Sequence, residues 1–135
     1  MGTYLGSNLI NINIKNNFKQ ANDDDATIWL NRTISIFNDY SLNNVEEEAF
    51  KGCSLLTTVN IPNCNYIGSH AFDGCTALEE IIMPKCTTID HYAFNNCYKL
   101  TTVSFPQCSL LIQGAFQLCT KLENVYFPKC ISIQG

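Results

Sequence analysis

The sequence predicts an α/β repeat solenoid in which short parallel strands, one per 22-residue coil, lie opposite short helical or 3₁₀ turns, behind an irregular N-terminal cap. Three observations carry this. A unit of 22 residues recurs four times from Ala49 onward with no insertion or deletion. Eight cysteines stand at 53, 64, 75, 86, 97, 108, 119 and 130, eleven residues apart at every step. Apolar residues return at fixed places in each unit, so neighbouring coils present matching columns to one another.

Each unit begins with Ala49-Phe50, Ala71-Phe72, Ala93-Phe94 or Ala115-Phe116, and three residues after each Phe comes Cys53, Cys75, Cys97 or Cys119. This segment is expected to form a single turn of 3₁₀ or α-helix that lowers the Phe and the Cys into the core. The column Leu56, Leu78, Leu100, Leu122 follows, then Val59, Ile81, Val103, Val125, then Ile61, Met83, Phe105, Phe127. In Leu100-Thr101-Thr102-Val103-Ser104-Phe105, the apolar Val103 and Phe105 alternate with Thr102 and Ser104, the period of a strand with one face inward. Pro62, Pro84, Pro106 and Pro128 end each strand, because proline cannot donate to a sheet ladder. The second Cys column and then Ile67, Ile89, Leu111 and Ile133 close the unit. A single coil leaves both faces of its apolar layer open to water, so the unit is stable only when stacked.

From the Leu column the unit reads L-x-x-[VI]-x-[IMF]-P-x-C-x-x-[IL], close to the leucine-rich pattern L-x-x-L-x-L-x-x-[NC]-x-L. Together with Ala-Phe-x-x-Cys and Ile67-Gly68, it resembles the BspA-like family of leucine-rich repeats over residues 45–135. That resemblance implies a non-catalytic protein-interaction or adhesion module. The family it resembles is best known from surface proteins of bacteria and of some parasitic protists, and similar repeats also occur in phage-encoded proteins.

Residues 1–44 do not obey the period. Residues 1–31 are expected to form an N-terminal cap or docking segment and 32–135 the solenoid, with a degenerate first coil at 32–48 and regular coils at 49–135. Leu9-Ile10-Asn11-Ile12-Asn13-Ile14-Lys15 alternates as a half-buried strand. Asp23-Asp24-Asp25 suits the start of a short helix over about 24–31, since carboxylates there cap free amides and oppose the helix dipole. Arg32-Thr33-Ile34-Ser35-Ile36-Phe37 reads as the strand of the first coil, with Val45 standing 22 residues before Ile67.

Composition narrows the partners. The net charge is -4 with eight Lys and Arg and no basic stripe, which argues against nucleic acid. No apolar run approaches the ~18 residues of a membrane span, and Met1-Gly2-Thr3-Tyr4-Leu5 lacks the basic and apolar regions of a signal peptide. No C-x-x-C pair occurs, so the cysteines are expected to be buried thiols and no metal or cofactor is expected. His70 and His91 occupy different columns and are expected to be solvent-exposed loop residues. No nucleophile–base arrangement or phosphate-cradling glycine loop is present, and no enzyme is expected.

Function is expected on the outward side of the strands, where side chains can vary without disturbing the core. The candidate partner-binding residues there are Glu79, Glu80, Ile82, Lys85, Thr102, Ser104, Glu123, Asn124, Tyr126 and Lys129. Ile82 and Tyr126 stand out as apolar groups among polar neighbours, and aromatic residues in such places often anchor partners. The expected ligand is a protein or cell-surface molecule, and the expected location is extracellular, at the cell surface or on a virion. The alternative role is a structural or receptor-contacting part of a phage virion. Val125, Phe127 and Ile133 lie near the C-terminal edge with no polar cap after them, so self-association or a partner is expected there.

Overall fold

A computed structural model describes residues 34–130 and the backbone of 132–133. The strand expected at 9–15, the helix expected over 24–31 and the boundary at 31/32 lie outside the described residues. In chain order the strands are β1 (Ile36–Asn38), β2 (Asn44–Val45), β3 (Thr58–Asn60), β4 (Tyr66–Ile67), β5 (Glu80–Ile82), β6 (Thr88–Ile89), β7 (Thr102–Ser104), β8 (Leu110–Leu111), β9 (Asn124–Tyr126) and β10 (Ser132–Ile133). All pairings are parallel and offset by 22 residues, as in Ile36↔Thr58, Ile67↔Ile89 and Val103↔Val125. The chain is therefore a parallel β-solenoid of about four turns, with the spacing of about 4.8 Å between coils that strand pairing imposes.

Two features differ from the sequence expectation. Each coil carries two strands rather than one: the even-numbered strands form a five-stranded sheet of their own. They are two residues long, with Ile67 and Ile89 buried beside the more exposed Tyr66 and Thr88, and so short an alternation leaves no periodic signal. Among the described residues no helix forms either. In the Ala-Phe-x-x-Cys segment the amides of Ala49, Lys51 and Cys53 donate three residues back, to Glu46, Glu48 and Phe50. The intervening amides of Glu48, Phe50 and Gly52 donate to the next coil, to Ser69 (3.0 Å), Ala71 (2.7 Å) and Asp73 (2.8 Å). A 3₁₀ helix needs consecutive local bonds. Here every second donor is committed to stacking, so the turn becomes a third inter-coil ladder.

That alternation is accompanied by two columns of positive φ. One holds Glu48, His70, Tyr92 and Gly114 at 52–70°, the other Gly52, Gly74, Asn96 and Leu118 at 62–84°. Glycine and asparagine adopt this region readily, whereas a leucine pays about 1–2 kcal/mol for it. Gly74→Ala is therefore expected to destabilise the chain by about 1 kcal/mol and Leu118→Gly to stabilise it by about 0.5 kcal/mol, the loss of half-exposed side chain offsetting part of the relief. Urea denaturation of both variants checks the opposite signs.

The core is a set of ladders along the solenoid axis. The rings of Phe50, Phe72, Phe94 and Phe116 stack at 5.0, 5.1 and 5.1 Å with planes within 5° of parallel. Phe105 and Phe127 form a second stack at 5.2 Å. Leu56, Leu78, Leu100, Ile67 and Ile89 fill the remaining layers and are fully buried. In the first coil Ile34, Phe37, Leu42 and Val45 occupy the Leu, Val, Cys and Ile columns. Asp39 breaks the pattern by standing where Ile61, Met83 and Phe105 are apolar. One of its carboxylate oxygens accepts from the Ser41 amide (2.9 Å) and hydroxyl (2.7 Å), while the other is buried with no hydrogen-bond partner among the described residues.

Candidate interaction face

The cysteines have a structural use that goes beyond small size. In the first column the thiols of Cys75, Cys97 and Cys119 donate to the Phe50, Phe72 and Phe94 carbonyls of the preceding coil at 3.2, 3.3 and 3.1 Å. In the second, Cys64, Cys86 and Cys108 donate to the carbonyls of Tyr66, Thr88 and Leu110 at 3.3–3.4 Å. An alanine would fill the space but remove a second donor from the Phe50, Phe72 and Phe94 carbonyls, which also accept the Cys53, Cys75 and Cys97 amides. Burial pushes the Cys64 and Cys108 thiols up to about 11 and Cys86 higher still. The neighbouring Cys119 thiol and burial push the Cys97 thiol up as well.

Thiolate is the reactive species. Cys64, Cys75, Cys86, Cys97 and Cys108 are therefore expected to resist a thiol reagent at pH 8 until denaturant is added, and the half-buried Cys119 and Cys130 to label first. Counting labelled sites by mass spectrometry tests this, and rapid native labelling of all eight would contradict it.

The histidines are not alike. His91 is exposed, and its Nδ1 and amide both meet Asp90 Oδ1, at 2.6 and 2.7 Å. His70, expected to be an exposed loop residue, is only half-exposed. Its positive φ tucks it over the turn, where Nδ1 meets Asp73 Oδ2 at 2.7 Å and its ring stacks on Tyr92 at 5.2 Å. Burial, with the Asp90 hydrogen bond (2.6 Å) second, pushes the Tyr66 hydroxyl up to about 12. Burial acts to raise Asp90, but bonds from Tyr66 and His91 outweigh it and hold its carboxyl below the ordinary range. Among the described residues no three His, Cys, Asp or Glu side chains gather as metal ligands.

The outward strand columns are presented as one surface. Glu79, Glu80, Ile82, Lys85, Glu123, Asn124, Tyr126 and Lys129 are exposed, whereas Thr102 and Ser104 are half-buried between neighbouring coils. Ile82 is 50% and Tyr126 56% exposed, and Ile36 at 54% extends the apolar element to the first coil. Lys129 is partly tethered, its Nζ lying 2.8 Å from Gln107 Oε1.

The face also contains a break that the sequence does not signal. Thr57 and Thr58 donate to Ser35, Thr101 and Thr102 to Glu79, and Glu123 and Asn124 to Thr101. The equivalent bonds from Glu79 and Glu80 to Thr57 are missing, as is Ile61 to Ile82, whose counterparts at Asp39, Met83 and Phe105 are all made. The odd-numbered strands consequently fall into two sheets, β1-β3 and β5-β7-β9. A cavity of about 680 Å³ on this face spans four coils across the break, lined by Asn38, Thr58, Asn60, Glu80, Ile82 and Thr101 among others.

The family model for the BspA-type leucine-rich-repeat region matches residues 43–135, in six copies. The chain belongs to this family. Among curated proteins and among solved structures nothing matches it. BspA-type repeats are generally protein-interaction or adhesion repeats, often surface-exposed and typically non-enzymatic. In this BspA-type chain no helix among the described residues is long and apolar enough to cross a membrane.

Proposed function

We propose that the chain is a non-catalytic adhesion or protein-interaction module, displayed on a cell or particle surface, which binds a protein or cell-surface ligand through its strand face. The observation that carries this reading is the pair of exposed apolar anchors, Ile82 and Tyr126, set in polar columns on strands whose backbone is fixed by inter-coil bonds. Side chains held on a rigid ladder lose little entropy on binding, and a half-exposed tyrosine offers a large contact area with a polar tip.

The test is adhesion of intact cells to the immobilised chain. Ile82→Lys with Tyr126→Lys is expected to reduce retention at least tenfold, while Tyr98→Lys, on the turn side of the coil, leaves it unchanged. Equal losses from the two changes would refute a strand-face site.

A further inference from the structure

We infer that the cavity on the outward strand face is a binding site for a short oligosaccharide bearing amino groups, laid along the solenoid axis. This deepens the strand-face reading and rests on it. The cavity reaches from Asn38 in the first coil to Thr101 in the fourth. That is three coil steps, about 14 Å at the spacing of paired strands. Its volume of about 680 Å³ lies within the roughly 300–1,000 Å³ of small-ligand sites.

The polar side chains of the lining are left mainly as acceptors. The Thr57 hydroxyl donates to the Ser35 carbonyl (3.1 Å) and the Thr101 hydroxyl to the Glu79 carbonyl (3.2 Å), so each offers oxygen lone pairs to the cavity. Asn60 Nδ2 donates to the Tyr40 hydroxyl (3.0 Å), which leaves Oδ1 as an acceptor. Glu79 and Glu80 add two exposed carboxylates, and no Lys or Arg lines the cavity. In the coils on either side the equivalent residues are Thr57, Thr58, Thr101 and Thr102, so the negative charge is confined to the middle of the site. The occupant must supply many donors, with cationic ones at its centre.

A peptide backbone does not meet that demand. It brings an acceptor with every donor, and the strands' own amides and carbonyls lie along the ladders rather than across the outward face. Linked amino sugars carry hydroxyls and an ammonium group on each ring, and the C–H faces of the rings are apolar. The site offers those faces a matching surface. Ile82 is 50% exposed beside Pro84, and Val59 is only partly buried, whereas Phe37, Ile81 and Val103 in its column are sealed. Acceptors, central carboxylates and an apolar strip together fit an amino sugar chain lying across the strands.

The probe is the glucosamine trimer obtained from chitosan, titrated into the full chain at mildly acidic pH and read by NMR. Resonances of Asn38, Thr58, Asn60, Glu80 and Ile82 are expected to shift. The N-acetylated trimer, which keeps the rings and loses the charge, is expected to bind at least tenfold more weakly, and so is trilysine, which keeps the charge and loses the rings. Glu79→Gln with Glu80→Gln should weaken binding of the glucosamine trimer at least fivefold. Glu123→Gln, in the column of Glu79 but outside the cavity, should leave it unchanged. Equal binding of the acetylated trimer would overturn the proposal, as would equal binding of trilysine or an equal loss from Glu123→Gln. If the glucosamine trimer does not bind, while Ile82→Lys with Tyr126→Lys still abolishes cell adhesion, the saccharide site falls and the strand-face reading stands.

Discussion

Phe94→Ala is expected to destabilise the chain by about 3–5 kcal/mol. Its ring is fully buried and stacked between Phe72 and Phe116, each 5.1 Å away, with Phe105 tilted against it at 6.2 Å. The size of the penalty depends on how far the surroundings can close around the void. Here they are pinned: the Phe94 amide donates to Ala115 at 2.7 Å, the Phe72 amide to Ala93 at 2.7 Å, and the Phe94 carbonyl receives the Cys119 thiol. Coils tied at a fixed 22-residue offset cannot slide inward to fill a missing ring, and each coil depends on its neighbours for half of its cover. Thr102→Ala, on the outward side of β7, is expected to change stability by no more than about 0.5 kcal/mol, since its hydroxyl makes only contacts of 3.3–3.4 Å to other side chains. Urea denaturation of the two variants gives the comparison, and equal midpoint shifts would invert the inside–outside assignment.

What the sequence disclosed and what it hid divide along a physical line. Columns such as Phe50, Phe72, Phe94, Phe116 and Leu56, Leu78, Leu100 were legible because side-chain burial acts on residue type, and residue type is what a sequence records. The three-residue strands were legible for the same reason, through the alternation of Thr102, Val103 and Ser104. The turn geometry was not. The alternation of local and inter-coil bonds in Glu48–Cys53 is a property of backbone amides, which all residues except proline share. Its trace in the sequence is slight: Gly52 and Gly74 mark one positive-φ column, but Asn96 and Leu118 continue it without a glycine. Of the candidate face, exposure of Glu79, Ile82 and Tyr126 followed from phase. The break between β3 and β5 did not, because the Thr-to-Glu step that flanks it recurs at an unbroken coil. Asp39 carries no such signal, because a buried carboxylate in the column of Ile61, Met83 and Phe105 runs against the residue type that burial selects.

Gly114→Ala is expected to cost about 2–3 kcal/mol, through two separable contributions. The first is conformational. Gly114 has φ of 70°, and a side chain there carries a penalty of about 1 kcal/mol, which Glu48, His70 and Tyr92 already bear in the same column at 52–58°. Conformation alone therefore does not require glycine at this coil. The second contribution is steric and specific to it. A Cβ on Gly114 would fall inside the van der Waals surface of Cε1 and Cδ1 of Tyr92, whose ring lies over the glycine and stacks on His70 from the other side at 5.2 Å. The ring must then leave its position, giving up the His70 contact and the cover it provides. A double-mutant cycle separates the two. In a Tyr92→Ala background, Gly114→Ala should cost only the conformational part, about 1 kcal/mol, leaving a coupling of about 1–2 kcal/mol between the sites. If Gly114→Ala costs the same in both backgrounds, the ring is not what excludes a side chain at 114, and the whole penalty belongs to the backbone.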